Sequence, residues 1–356
     1  LMKKIIIFLM IMIAFFGITV FSVYKWYENQ VDLPAGDSSN IIDIEIEQGE
    51  SIKEIAVKLQ AAGLIKNSDV FYWYIKFEKI APNIQAGKFQ IPQNLTIVEV
   101  AAFLQKASGN DVWVTIPEGK RIDEVAEILD ERFLKEENSM FNKNEFLKIV
   151  ENPDDYQFKA EVLMFKPAGK SLEGFLFPDT YNVEKDITSK ELVDLFIDTL
   201  EKKLETENVA LDSHKTLSVY EVITLASIIE REARSSDERY MISDILQRRL
   251  AGDMDGVKLL QTDATLLYEL KDWEVVITDE IKKNDTEYNT YTRTGLIPTP
   301  ICNSGLDSIE SVMNPTANEY FFYLHDDEGD IHYAKTLAAH INNQRCYINK
   351  NTDYCL

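Results

Sequence analysis

The chain is poor in the residues that hold metals and lacks the glycine patterns that hold phosphates. Its 356 residues include four histidines and three cysteines. His214, His325, His332 and His340, with Cys302, Cys346 and Cys355, show no metal-ligand spacing, so no metal is implied. There is no P-loop and no dinucleotide glycine fingerprint, and no cofactor is implied. Isolated thiols are the default for the cysteines, with a Cys346–Cys355 disulfide left open. Basic side chains are also scarce, 37 against 60 acidic ones, for a formal charge of −23. A surface of that sign repels a phosphate backbone, which argues against nucleic acid as a partner.

What is present begins with residues 5–24, IIIFLMIMIAFFGITVFSVY, which carry no charge. At about 1.5 Å per residue such a run spans roughly 30 Å, the thickness of a bilayer core. Lys3 and Lys4 precede it and favour a cytoplasmic N-terminus. The run exceeds a usual signal-peptide core and no small-x-small cleavage site follows. The expectation is a transmembrane helix over 5–24 anchoring the chain in the plasma membrane. Residues 1–4 would then lie in the cytoplasm, and the chain after a linker at 25–40 would lie outside it.

A weak repeat follows. Ile46, Gly49, Ile52, Glu54, Ile55, Ala56 and Leu59 recur as Ile91, Asn94, Ile97, Glu99, Val100, Ala101 and Leu104. They recur again as Ile116, Gly119, Ile122, Glu124, Val125, Ala126 and Leu129. Alternation in Ile42, Ile44 and Ile46 predicts a half-buried strand. The spacing of Ile52, Ile55, Ala56 and Leu59 then predicts an amphipathic helix. The unequal intervals between copies argue against a regular solenoid.

Residues 225–232, LASIIERE, end the most apolar helix in the chain. Ser218 and Glu221 supply a capping box for its start. A helix apolar on nearly every side is buried on nearly every side, so a carboxyl at its end is expected to have its pKa pushed upward. That state suits proton donation to a leaving oxygen, and Glu230 is the expected catalytic residue. Glu232 is two residues on and points about 200° away, so a single working carboxylate is expected from this helix. Downstream, Gln261, Thr262, Asp263, Tyr268, Tyr288, Asn289, Thr290 and Tyr291 concentrate amides, hydroxyls and aromatic rings. Such a mixture suits sugars: polar groups meet ring hydroxyls and rings cover CH faces.

The ordered motifs IPEGKRIDEVAEIL, EGFLFPDTY, LASIIERE, ERYMISDILQRRL, LLQTDATLLY, YNTYTRTGLIPTPICNSGLDSI and HYAKTLAAH span roughly residues 41–342. Together they resemble the endolytic murein transglycosylases, membrane-anchored bacterial enzymes that cut peptidoglycan glycan strands. The resemblance implies an α+β fold: a transmembrane helix, a small lysin-motif-like βα module at 41–106, then a mixed α+β catalytic domain at 107–356. It places catalysis on Glu230 and substrate binding on Gln261, Thr262, Asp263, Tyr288, Asn289, Thr290 and Tyr291. It implies a lyase of the bacterial cell membrane that cuts between N-acetylmuramic acid and N-acetylglucosamine, leaves a 1,6-anhydro end and terminates nascent strands. Peptidoglycan synthases are open as partners. Two rivals stand beside it: an anchored, non-catalytic peptidoglycan-binding scaffold, and a two-carboxylate muramidase using Asp263 or Asp179.

Overall fold

The computed structural model describes residues 12, 19, 21–22, 25–27, 29–36, 40–105, 111–136, 139–253 and 258–355. The expected transmembrane run at 5–24 lies almost wholly outside the described residues. Among these, no helix is long and apolar enough to cross a membrane. The chain divides into two compact units, Leu1–Trp113 with Thr180–Glu184, and Val114–Asp179 with Lys185–Leu356.

In the first unit, β1 (Ile41–Ile46) pairs antiparallel with β2 (Gly87–Pro92), Ile44 opposite Phe89. Helices α1 (Ile52–Ala61), α2 (Ser68–Phe77) and α3 (Ile97–Phe103) supply the rest of its core. Alternation puts Ile44 and Ile46 inside, where they join Leu59, Phe71, Ile75, Phe89 and Leu104. The glutamate of the repeat has a local task. Glu54 and Glu99 each reach back to a backbone N–H, of Ser51 at 2.8 Å and of Thr96 at 2.8 Å, closing capping boxes that start α1 and α3. A second two-stranded sheet joins β3 (Asp111–Thr115) to β4 (Thr180–Glu184), which is how residues 180–184 enter this unit.

The third repeat copy opens the second unit with α4 (Ile122–Phe133), followed by α5 (Lys143–Glu151) and α6 (Ser189–Thr206). At its centre is α7 (Val219–Glu232), begun by the expected capping box: Glu221 accepts from the Ser218 N–H at 2.8 Å. Val222 to Ile229 are all buried, as a helix without a polar face requires. Among the described residues, α8 (Ser236–Ala251), α9 (Asp263–Leu270) and α10 (Leu306–Met313) all pack on it. A hairpin of β5 (Phe322–His325) and β6 (Ile331–Ala334) and the short α11 (Leu337–Asn343) complete the unit. The mixed α+β expectation holds.

Asn303, wholly buried, ties three distant motifs. Its Oδ1 accepts from Gly174 N at 3.0 Å and Leu176 N at 2.9 Å, and its Nδ2 donates to the Lys120 carbonyl at 2.9 Å. Gly174 has φ +88°, and a Cβ there would stand 2.7 Å from Pro300 and 2.9 Å from Ile223, so only glycine fits. The isolated-thiol expectation is corrected for two cysteines: Cys346 and Cys355 form a disulfide, because the turns after α11 bring their Cα atoms to 5.0 Å. Cys302 is free and buried.

Beside Asn303 lies Glu173, also buried, accepting from the Ile122 N–H at 3.1 Å. Burial pushes its carboxyl from 4.5 up to about 8. The folded chain holds this proton to about pH 8, whereas the unfolded chain releases it near the ordinary glutamate pKa of about 4.3. Unfolding therefore releases a proton between those values, and stability falls as pH rises through that window, by at most roughly 1.4 kcal/mol per unit. Glu173→Gln, which cannot ionise, is expected to flatten that slope in melting curves taken from pH 5 to pH 8. A wild-type slope equal to the variant's would refute the assignment.

Candidate active site

The two carboxyls at the end of α7 part company. Glu230, with its side chain 5% exposed, does not meet the apolar surround expected of it. Arg239 of α8 donates to its Oε1 at 3.0 Å, and the Gly305 N–H and Ser308 hydroxyl donate to its Oε2 at 3.1 and 2.7 Å. Gly305 and Ser308 belong to the first turn of α10, where a carboxylate satisfies free donors and meets the positive end of the helix dipole. The same guanidinium also faces Asp307 at 3.3 Å and Glu118 at 3.7 Å. Glu230 thus staples α7 to α8 and α10.

Glu232 turns the other way, into a cavity of about 470 Å³. Its Oε2 accepts from the Tyr323 hydroxyl at 2.9 Å, and its Oε1 from the Ala264 N–H at 3.4 Å. Burial pushes its pKa upward, the Tyr323 hydrogen bond opposes this in part, and the charge of Asp263 adds to the rise. The upward shift expected of a carboxyl at this helix end is found at Glu232, in a polar surround rather than an apolar one. The two carboxyls do point apart, as their spacing on the helix requires. Since α7 is apolar all round, both faces at its end are enclosed, and the sequence carried that signal.

Of the seven expected substrate-binding residues, three line this cavity with Glu232: Gln261, Asp263 and Tyr291. Asp263 accepts from the Tyr291 hydroxyl at 2.6 Å. Gln261 takes φ +54°, a conformation rare for a residue with a side chain, while its N–H bonds the Thr290 carbonyl at 3.1 Å. The other four hold the wall up rather than face it. Thr262 and Thr290 are 1% and 2% exposed and bond to each other, with Thr262 N–H on Thr290 Oγ1 at 3.0 Å. Asn289 is fully buried: its Nδ2 donates to the Lys282 and Asn284 carbonyls, and its Oδ1 accepts from Tyr291 N. The Tyr288 hydroxyl bonds Thr299 Oγ1 at 2.8 Å. Thr290 and Asn289 thereby satisfy buried backbone groups of a loop that would otherwise be left unpaired.

Other residues of the wall, among them Arg249, Lys282, Tyr323 and His340, carried no signal in the sequence. Arg249 is 4% exposed, with its guanidinium on the Leu260 and Phe321 carbonyls. Asp179, a rival second carboxylate, instead pairs with Lys203 at 2.9 Å and does not line the cavity.

A half-buried carboxyl in a polar cavity walled by amide, carboxylate and tyrosine is equipped for proton transfer to a polar ligand. The chain belongs to the YceG-like family, whose model matches residues 44–346. It is 29% identical over 329 residues to the endolytic murein transglycosylase of Bacillus subtilis (strain 168), covering 89% of this chain and 88% of that protein. It is 27% identical over 331 residues to the protein of the same name from Streptococcus pneumoniae serotype 2, covering 88% of this chain and 59% of that longer protein. The crystal structure of a yceG-like protein from Listeria monocytogenes superposes with a TM-score of 0.55 at 28% identity, over 85% of this chain and 99% of the other.

Proposed function

We propose that this chain is an endolytic murein transglycosylase and that Glu232 is its acid. The observation that carries the reading is Glu232 itself, a carboxyl whose pKa burial pushes upward, set in one cavity with Gln261, Asp263 and Tyr291. The relatives that carry this name match over most of this chain. Protonated Glu232 gives its proton to the glycosidic oxygen as the bond to C1 of N-acetylmuramic acid breaks. The carboxylate so formed takes the proton from the C6 hydroxyl of the same sugar, and that oxygen closes on C1. One carboxyl serves both steps because the nucleophile is intramolecular and already at hand. No water is consumed, and the product ends in a 1,6-anhydro ring.

The presence of Asp263 on the same wall favours one other reading, a hydrolase in which that carboxylate activates water. Digestion of purified glycan strands, read by mass spectrometry, separates the two. Ends lighter by one water than hydrolysed ends support the transglycosylase, and ends of full hydrolysed mass overturn it. In the same reading, residues 41–106 supply a wall-binding module, and sedimentation of that fragment with insoluble peptidoglycan is the check.

A further inference from the structure

The chain is strongly acidic, at −23, and Asp263 places one of those charges on the cavity wall. An anionic group on a substrate would be repelled there unless a cation met it. Two lasting cations line the cavity. Arg249 is spent, buried with its guanidinium on backbone carbonyls. Lys282 is not. Its side chain is 31% exposed, its ammonium stands 3.5 Å from Asp263 Oδ1, and it lies 4.5 Å above the Tyr291 ring. Asp263 already accepts from the Tyr291 hydroxyl at 2.6 Å, and the Lys282 ammonium makes no hydrogen bond to a described residue.

The backbone beneath Lys282 is anchored. The Lys282 carbonyl accepts from the buried Asn289 Nδ2 at 3.1 Å, and its N–H bonds the Thr278 carbonyl at 3.1 Å. A flexible lysine is thus held at the cavity wall by its main chain and by the Tyr291 face, with donors left for a ligand.

We propose that Lys282 makes this cavity selective for glycan that presents a free carboxylate beside the sugar ring, which its ammonium binds. This rests on the peptidoglycan reading above. The sugar rings of such a strand are neutral amino sugars, and their anionic groups hang from the muramyl ether. Two sources exist: the lactyl carboxylate itself when the stem peptide is absent, or a carboxylate of an attached stem.

The test uses three matched strands: free lactyl, lactyl capped as a primary amide, and peptide-bearing. Binding is measured by fluorescence anisotropy on the full chain carrying Glu232→Gln, so that no strand is cut. Adding Lys282→Gln is expected to weaken binding of the carboxylate-bearing strands about 5- to 10-fold and to leave the amide-capped strand unchanged. Lys282→Arg should restore it, and rising salt should erode the difference, since it screens the ion pair. Loss confined to the free-lactyl strand identifies the lactyl group, and loss on the peptide-bearing strand identifies the stem. In chains that retain Glu232, the change should appear in KM with kcat nearly kept. Equal affinities of Lys282→Gln and its parent for all three strands would overturn the inference. Failure of the wild type to cut any strand would count against the transglycosylase reading, while the binding series would still decide the role of Lys282.

Discussion

Glu232→Gln is expected to lower glycan cleavage by about 10²–10⁴ while leaving the chain folded. Glutamine keeps the volume, and its amide oxygen can accept from the Ala264 N–H while its NH2 donates to the Tyr323 hydroxyl, which turns from donor to acceptor, so no cavity opens. What it lacks is a proton to give and a carboxylate to take one back. Because burial raises the pKa of Glu232, the wild type should hold its proton above the usual carboxylate range and lose activity as pH rises through that value. The measurement is release of anhydro ends across a pH series, with circular dichroism to verify folding. A folded Glu232→Gln chain with near-parental turnover would remove Glu232 as the acid, and Asp263 would be the next to change.

Glu230 should fail in a different way. Glu230→Ala strips a carboxylate from Arg239, the Gly305 N–H and the Ser308 hydroxyl at once. Truncating one side of a largely buried ion pair leaves the other charge without its closest partner. Arg239 keeps Asp307 and Glu118, which softens the loss. A cost of about 2–4 kcal/mol is expected, seen as a Tm lower by roughly 5–10 °C. Turnover per folded molecule should stay near parental at temperatures below the melt. The pair is diagnostic: one variant loses chemistry and keeps stability, the other the reverse. An inactive Glu230→Ala chain with an unchanged Tm would restore Glu230 as the acid.

Much of the fold was legible because its signals are local. The helices at 52–61, 97–103 and 122–133 follow from residues three and four apart. The starts of α1, α3 and α7 follow from capping boxes closed within three residues. The segment 261–291 stood out by its amides, hydroxyls and rings, but the division of labour within it did not. Side chains with the same chemistry, such as Gln261 and Asn289, can face a ligand or satisfy the chain. That choice depends on which carbonyls the loop leaves bare.

The sequence carried the membrane-spanning expectation, the repeat, the apolar helix and the presence of a carboxyl at its end, because each is written within a few consecutive residues. It did not carry which carboxyl faces the cavity. An amphipathic helix declares its inner face by its period, but α7 is apolar all round and declares none. The partners that separate Glu230 from Glu232 come from far along the chain, Gly305 and Ser308 for one and Tyr323 for the other. Two residues apart on a helix means about 200° of rotation, which turns one carboxyl to a helix terminus and the other to the cavity. The packing of α10 on α7 and the hydrogen bond from Tyr323 of β5 settle that geometry, and no local pattern encodes it.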